Sequence, residues 1–232
     1  MALILYELGG NRGQRYSQFS WRTRLALAHK GLAYESVPSA VSDKSAIAFS
    51  GQEKVPILKD GEHIVADSWK IAEYLEASYP ERPSLFGGER GHALARFVNA
   101  WADRRLVPRL APMLMIDVLG IVGEKDAAHL RRSVEAAFKR SLEDLSARRA
   151  EDITEFRRLL DPLRVSLRAQ PFLSGGTPAY PDYIVFSMLQ WARIVSDFEV
   201  IEPADAIAPW RERMLDLYGG VARQEAGRRE AA

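Results

Sequence analysis

The sequence predicts an α/β region with a four-stranded mixed sheet, followed by an all-helical region. Apolar and turn residues within about the first 80 positions follow the order β-α-β-(α)-β-β-α, which is the size of a small domain. The turn Asp60-Gly61 joins the last two strands as an antiparallel hairpin, so the sheet is mixed. Beyond Gly88 the pattern is helical almost throughout, with Gly and Pro between the helices.

The first strand and the first helix precede Tyr34. The β-prone run Leu3–Leu8 ends at Gly9 and predicts a buried strand. After a polar loop, the sequence predicts a helix that begins at Ser17 and closes at Gly31. One face of this helix is apolar and is formed by Trp21, Leu25, Ala28 and Leu32.

The second strand and the hairpin complete the sheet. Tyr34–Val37 predicts a strand that ends at Pro38, and the polar stretch 39–53 is compatible with a weak helix. The stretch 55–65 predicts two strands around the Asp60-Gly61 turn.

A second helix follows the hairpin. Its predicted N-cap is Ser68, and Pro80 and Pro83 end it. Its apolar face is formed by Trp69, Ala72, Leu75 and Tyr79.

The helical region contains five predicted helices. They span Gly91–Val122, Lys125–Arg149, Glu151–Ala169, Tyr180–Phe198 and Pro203–Tyr218. The linker lies at Leu85–Gly88, so we predict one domain over residues 1–84 and a second over residues 88–232.

Composition limits the function classes. Lys and Arg number 32 against 31 Asp and Glu, and the net charge of +1 gives no long-range field to attract nucleic acid or an anionic membrane. The chain has no cysteine, which excludes disulfides and cysteine nucleophiles and fits a reducing compartment. No apolar run is long enough to cross a bilayer, and the start predicts a strand instead of a signal peptide. We therefore predict a soluble cytoplasmic protein.

No metal site is predicted. Cysteine ligands are absent, and the histidines lack the spacing of metal ligands. They are His29, His63, His92 and His129. The expected partner is a small molecule or another copy of the chain.

Ser17 is the first of three features that could carry chemistry, and each alone has a simpler structural explanation. At the start of a helix, free amides and the helix dipole favour negative charge. A thiol bound there could ionise if the hydroxyl donates a hydrogen bond to its sulfur. The pKa of the thiol would have to fall by about two units from about 8.5, which requires about 2.7 kcal/mol of preferential stabilisation of the thiolate. Ser17 could equally be an ordinary N-cap.

The other two features flank the hairpin. Pro56 stands at the first residue of a strand, where proline is tolerated. We predict a cis Val55–Pro56 bond, which would turn the Val55 backbone outward to pair with an extended peptide, although an ordinary trans proline is the alternative. Asp67-Ser68 offers a carboxylate, a hydroxyl and free helix amides, which suit the two ends of an amino acid. A plain capping pair is the alternative there.

Longer stretches of the chain match known protein motifs. Ser17–Gly31, followed by Tyr34–Pro38, is similar to the first helix and second strand of serine-type glutathione transferases, notably the zeta class. Asp67–Leu75 and Tyr79–Pro83 resemble bacterial β-etherase-type members of that superfamily and their fungal relatives. Gly175–Tyr183 resembles the motif that opens a buried helix of the second domain. The resemblance covers nearly the whole chain and implies a thioredoxin-like first domain.

The resemblance implies a role for each candidate in the hairpin region. Val55 matches the residue whose backbone pairs with the cysteinyl part of glutathione, and Pro56 matches the cis proline. Asp67 and Ser68 match the pair that holds the γ-glutamyl end. Lys54 lies where serine-type members often place a group near the glycyl carboxylate.

Ser17 matches the serine that activates the thiol. Ser20 lies about one helical turn further on and is the nearest competitor. Tyr6 and Tyr16 are the remaining alternatives, since Tyr6 is near the end of a strand, as the catalytic tyrosine is in other classes.

The sequence also departs from the pattern of the family. Gln18 and Phe19 stand where the zeta class carries Ser and Cys, which argues against maleylacetoacetate isomerase activity. Ala179 replaces the usual Ser or Thr N-cap of the buried helix, although Asp182 can still bond back to the backbone.

We therefore predict a glutathione transferase that activates glutathione, its co-substrate, for attack on a small apolar electrophile. A glutathione-dependent β-etherase or isomerase, or a non-catalytic binding protein of the same fold, is the alternative. Family analogy predicts a homodimer with the first domain of one subunit against the helical domain of the other. Trp101 and Leu106 are candidate contacts, although they could be core residues instead.

Overall fold

The sheet has four strands in the part of the chain that the computed structural model describes, residues 2–228. They are β1 Leu3–Leu8, β2 Tyr34–Ser39, β3 Ile57–Asp60 and β4 His63–Ala66. Their order is β2-β1-β3-β4, with β1 parallel to β2 and antiparallel to β3, and β3 antiparallel to β4. The sheet is therefore mixed, as the hairpin predicted.

Strand β2 differs from its prediction because it continues through Pro38 to Ser39 instead of ending at the proline. Pro38 pairs with Glu7 in the parallel ladder with β1. Since β2 lies at the edge of the sheet, one side of the strand needs no ladder partner, and a residue without an amide hydrogen is tolerated there.

Two α-helices and a short 3₁₀ helix complete the first region. The α-helices are α1 Gln18–His29 and α2 Ser68–Ser78, and the weak helix expected in 39–53 is a 3₁₀ turn at Ser45–Ser50. Trp21 and Leu25 of α1 are fully buried, as their helical spacing predicted.

The helical region contains eight α-helices among the described residues. They are α3 Glu89–Trp101, α4 Val107–Leu119, α5 Glu124–Phe138, α6 Leu142–Ala147, α7 Arg149–Leu159, α8 Asp161–Ala169, α9 Tyr180–Val195 and α10 Ala208–Gly220. A π-helical segment, Ala102–Leu106, joins α3 to α4, so the long predicted helix is almost continuous. Leu106 is fully buried, so its core explanation is correct, whereas Trp101 is half-buried and packs against the core.

Four other predicted helices have different bounds. The predicted helix Lys125–Arg149 breaks after Phe138, because Lys139 adopts a left-handed conformation with φ of 52°. The predicted helix Glu151–Ala169 breaks at Leu160, where Pro162 lies in the first turn of α8, a position that suits proline. Tyr180–Phe198 ends early at Val195, and Pro203–Tyr218 starts only at Ala208.

Helix α9 lies in the centre of the molecule and packs against α1. Its N-terminus is held by Asp182, which is fully buried and accepts hydrogen bonds from the amides of Leu173, Ser174 and Ala179 and from Trp210 Nε1 at 2.7–3.2 Å. Asp182 therefore bonds back to the backbone of Ala179, as expected from the sequence. Within residues 2–228, no helix is long and apolar enough to span a membrane.

Candidate functional site

The register of the sheet places the candidate site residues that were predicted from the sequence at one end of the sheet. Tyr6, near the carboxyl end of β1, pairs with Ile57, the first residue of β3. Ile57 also pairs with Ala66, the last residue of β4. The carboxyl ends of β1 and β4 and the amino end of β3 therefore meet at one edge. Segments that leave the sheet there carry Ser17, Val55-Pro56 and Asp67-Ser68.

Ser17 is the N-cap of α1. Its Oγ accepts a long hydrogen bond of 3.4 Å from the Ser20 amide, so the capping alternative is correct. This bond uses an oxygen lone pair and leaves the hydroxyl proton free to be donated elsewhere. No acidic residue lies in the first turn of α1, so nothing there opposes the positive end of the helix dipole.

Two of the three competitors are less accessible than Ser17, which is itself 8% exposed. Ser20 is 1% exposed and Tyr16 is 3% exposed, and in the described chain neither hydroxyl has a hydrogen-bond partner. Burial, with a smaller contribution from Asp126, raises the pKa of the Tyr16 phenol, so it stays protonated. The Tyr6 ring lies 4.8 Å from the Phe49 ring. Burial therefore favours Ser17 over Ser20 and Tyr16, whereas Tyr6 is only half-buried and remains a competitor.

Val55 presents an unused stretch of backbone. Neither its amide nor its carbonyl forms a hydrogen bond with any residue in the described range. The Val55–Pro56 bond is cis, as predicted. Pro56 is buried, and its carbonyl accepts a hydrogen bond of 3.2 Å from the Asp67 amide. An extended peptide could therefore pair with the Val55 backbone beside Asp67.

Asp67, and not Ser68, is the N-cap of α2. The first turn of the helix begins at Ser68, so the cap lies one residue earlier than the sequence predicted. Asp67 Oδ1 accepts hydrogen bonds from the amides of Trp69 at 2.9 Å and Lys70 at 3.1 Å. Its Oδ2 has no hydrogen-bond or ion-pair partner in residues 2–228, and Asp67 is exposed, so this oxygen can accept from a ligand ammonium.

Ser68 and Lys54 occupy different environments. Ser68 is buried beneath Asp67 at the start of α2, whereas Lys54 is exposed before β3. The structure therefore brings Ser68 into the same helix N-terminus as Asp67. Lys54 is one residue from Val55 and has no ion-pair partner among the described residues.

Two contacts from the helical region reach this edge and were not predicted from the sequence. Tyr180, at the start of α9, donates a hydrogen bond of 2.7 Å to the Ser68 carbonyl. Arg22 of α1 is 1% exposed and donates to Asn99 at 2.9 Å and Asp103 at 2.7 Å. Arg22 stands three residues before Leu25, a spacing that places it beside the apolar face of α1, and this was the available signal, because a buried charge requires partners.

The loop before Ser17 is also tied to the helical region. The Asn11 amide donates a hydrogen bond of 2.8 Å to the carbonyl of Ile121, just after α4. An apolar cavity of about 940 Å³ lies at the opposite end of α1, where its walls include His29, Phe97 and Tyr218. At the rise of an α-helix, His29 in the wall of this cavity is about 18 Å from Ser17 along α1. In residues 2–228, no three His, Asp or Glu side chains converge to hold a metal ion.

Two family models match the chain. The model for the N-terminal domain of glutathione S-transferases matches residues 13–83. The model for the C-terminal domain of glutathione S-transferases matches residues 93–214, which is more than half of the 232 residues.

Individual relatives are similar over part of their length. A zeta-class glutathione S-transferase from Euphorbia esula is 34% identical over 114 residues, which cover 47% of this chain and 49% of that protein. Maleylacetoacetate isomerase from Dictyostelium discoideum is 28% identical over 129 residues, which cover 50% of this chain and 55% of that protein. The chain thus matches about half the length of these two relatives.

The fold is similar to that of solved structures over almost the whole chain. Glutathione transferase GSTFuA2 from Phanerochaete chrysosporium superposes with a TM-score of 0.77, covering 97% of this chain and 95% of that one. The identity is 22%, so this likeness shows the fold alone. It confirms the predicted class, a thioredoxin-like region with a four-stranded mixed sheet followed by a helical region.

Proposed function

Because the chain belongs to the glutathione S-transferase family, we propose that it is an enzyme that binds glutathione and activates its thiol for attack on a small, apolar electrophile. The observation that carries this proposal is the unpaired backbone of Val55. It lies at the same sheet edge as the Ser17 cap and the free oxygen of Asp67.

Glutathione lies across this edge in an extended form. The Val55 backbone pairs with the cysteinyl part beside the buried Pro56, as a short added strand would. Asp67 accepts from the γ-glutamyl ammonium through its free Oδ2, and Ser68 supports the same end of the ligand. Lys54, which is exposed beside Val55, attracts the glycyl carboxylate.

Ser17 stabilises the thiolate. Its hydroxyl donates to the sulfur, and the unpaired amides at the start of α1 favour the negative charge. The thiol proton passes to solvent, the sulfur forms the new bond to the electrophilic carbon, and the leaving group departs with its electron pair. A lower pKa makes each thiolate a weaker nucleophile, but this loss in reactivity is much smaller than the gain from the larger ionised fraction of the thiol.

The two halves of the chain divide the work in this proposal. Residues 1–84 form the glutathione-binding domain, and residues 88–232 contribute an apolar pocket for the second substrate. Residue 1 and residues 229–232 belong to this assignment but lie outside the described residues. We place the enzyme in the cytoplasm as a homodimer, and metal takes no part in the chemistry that we propose.

A glutathione-dependent isomerase is the second candidate, because one relative is named maleylacetoacetate isomerase. Gln18 and Phe19 argue against it, since they replace the Ser and Cys of the zeta class. Gln18 is buried, and the Arg22 guanidinium lies 4.9 Å from the centre of the Phe19 ring. Turnover of maleylacetoacetate with catalytic glutathione would favour the isomerase.

Calorimetry and a conjugation assay test the main proposal. We expect the purified chain to bind glutathione at millimolar concentration or below, and to conjugate it to 1-chloro-2,4-dinitrobenzene. Binding without turnover of any electrophile would favour a non-catalytic binding protein. Absence of binding at millimolar glutathione would refute the proposed function altogether.

A further inference from the structure

Tyr180 joins the helical region to the start of α2. It is the first residue of α9 and is fully buried. Its hydroxyl donates a hydrogen bond of 2.7 Å to the carbonyl of Ser68. Burial raises the pKa of the phenol above its ordinary value, so Tyr180 stays protonated and acts as a donor.

The ring of Trp69 reinforces this connection. Its centre lies 5.9 Å from the ring of Tyr180, 5.6 Å from Phe86 and 5.4 Å from His92. The Arg96 guanidinium lies 5.0 Å from the centre of the Trp69 ring on another side. The first turn of α2 therefore packs against residues that all follow the sheet domain in the sequence.

The backbone before this turn is strained. Asp67 has φ of 81°, a region that residues other than glycine rarely adopt. Such a conformation persists only when its surroundings hold it from several directions. Here the Asp67 amide is bound to the Pro56 carbonyl, its carboxylate caps α2, and the carbonyl of the next residue is held by Tyr180.

We propose that Tyr180 is a positioning residue for the γ-glutamyl end of glutathione. Its hydroxyl fixes the Ser68 peptide group, and this fixes the direction in which Asp67 presents its free oxygen to the ligand. This inference rests on the proposed function, because it concerns the same glutathione site. Tyr180 itself is fully buried and does not touch the ligand.

The inference assigns part of the glutathione affinity to the helical region. Every residue that we assigned to glutathione from the sequence lies within residues 1–84. Residues 1–84 by themselves lack Tyr180, which is one of the groups that hold the strained Asp67. The full chain should therefore bind glutathione more tightly than residues 1–84 alone.

The test uses Tyr180→Phe in the full-length protein, which removes one hydroxyl and keeps the ring. We expect the Kd and KM for glutathione to rise about threefold to tenfold, the effect of losing one hydrogen bond. The kcat at saturating glutathione and the KM for 1-chloro-2,4-dinitrobenzene should not change. The pH dependence of conjugation should also stay the same, because Ser17 lies on a different helix.

Tyr183→Phe is the matched control. Tyr183 is also fully buried on α9, but its hydroxyl bonds to His29 Nδ1 at 2.5 Å and to Tyr218, near the far end of α1. This change also removes one buried phenol hydroxyl, so it reports any general loss of stability. We expect it to lower the melting temperature and to leave the Kd for glutathione unchanged.

The outcomes separate the inference from the proposed function. If wild-type protein does not bind glutathione, both fail. If wild-type protein binds and Tyr180→Phe binds equally well, the inference alone is wrong. If Tyr180→Phe and Tyr183→Phe weaken glutathione binding equally, the inference is also wrong. That result would indicate a general loosening of α9 instead of a specific effect on Asp67.

Discussion

Ser17 can serve two functions at once because a hydroxyl is both an acceptor and a donor. As an acceptor it caps α1 through the Ser20 amide, and as a donor it is free to bond to sulfur. Asp67 divides its functions between two atoms: Oδ1 caps α2 and Oδ2 remains open. A capping role therefore does not compete with ligand binding at either residue.

Replacing Ser17 with Ala tests the donor function. The pKa of bound glutathione should rise, so less thiolate is present near neutral pH and conjugation should slow about tenfold to a thousandfold. Because the thiol ionises unaided at high pH, the defect should shrink as pH rises. The Kd for glutathione should change little. A pH–rate profile of the variant checks this.

Ser20→Ala and Tyr6→Phe are the controls for Ser17. Both remove a hydroxyl near the same sheet end, and we expect neither to produce the pH-dependent defect. If one of them does and Ser17→Ala does not, the thiol-activating residue has been assigned wrongly.

Asp67→Asn tests the open carboxylate oxygen. Asn keeps an acceptor for the helix cap and tolerates positive φ, so α2 should remain intact. The charge that binds the ligand ammonium is lost, and glutathione binding should weaken by about 1–3 kcal/mol. Calorimetry measures this loss. Unchanged affinity, with an unchanged melting temperature, would remove Asp67 from the ligand site.

Short segments between elements are held by residues from distant helices. Asp126, in the first turn of α5, accepts hydrogen bonds from the amides of Val41 at 2.9 Å and Ser42 at 2.7 Å, and from the Ser42 hydroxyl. The loop after β2 is thereby fixed to the start of α5. Arg22 similarly joins α1 to α3 and to the π-helical segment.

The pKa of Asp126 gives this contact a pH dependence. Burial acts to raise the pKa, but the hydrogen bonds from Ser42 and Val41 outweigh it and hold the pKa below its ordinary value. Folding therefore favours the ionised carboxylate. The stabilisation is present above the ordinary pKa of about 3.9 and is lost as pH falls through the lower folded value.

Asp126→Asn should accordingly lower the free energy of unfolding by about 1–3 kcal/mol at pH 7. The difference from wild type should begin to narrow below about pH 4 and should disappear only below the lowered pKa of folded Asp126, where the wild-type carboxylate is protonated too. Urea unfolding at several pH values measures both effects. Asp144→Asn, an exposed residue at the same position of α6, is the control and should have little effect.

At the scale of the whole molecule, several large apolar side chains remain exposed. Phe49 and Ile64 belong to the first region, and Leu94 and Phe97 lie on α3. Exposed apolar surface on both regions suits the homodimer that we propose, in which unlike regions of two subunits meet.

Sedimentation should therefore give twice the chain mass of 26.0 kDa. Phe49→Ser should shift the protein towards monomer, because it removes apolar area from the first region. Phe138→Ser changes the same side chain on α5, which is exposed to a similar degree, and should leave the mass unchanged. A mass near 26.0 kDa for wild type at high concentration would count against a dimer.

The sequence by itself determined the order of elements in the first region and the candidate residues of the site. Strand β1, helix α1 and the hairpin follow from apolar periodicity and turn residues, which act over short distances along the chain. The helix bounds beyond Gly88 were less predictable, because a left-handed Lys139 carries no strong signal in the sequence.

Only the tertiary structure decided which candidates meet and what holds them. The sheet register brings the ends of β1, β3 and β4 to one edge, and this register depends on pairing between distant segments. The bonds of Tyr180 to Ser68 and of Arg22 to Asp103 join residues 112 and 81 positions apart. Periodicity describes one element at a time, so it predicts that a side chain is buried without identifying its partner.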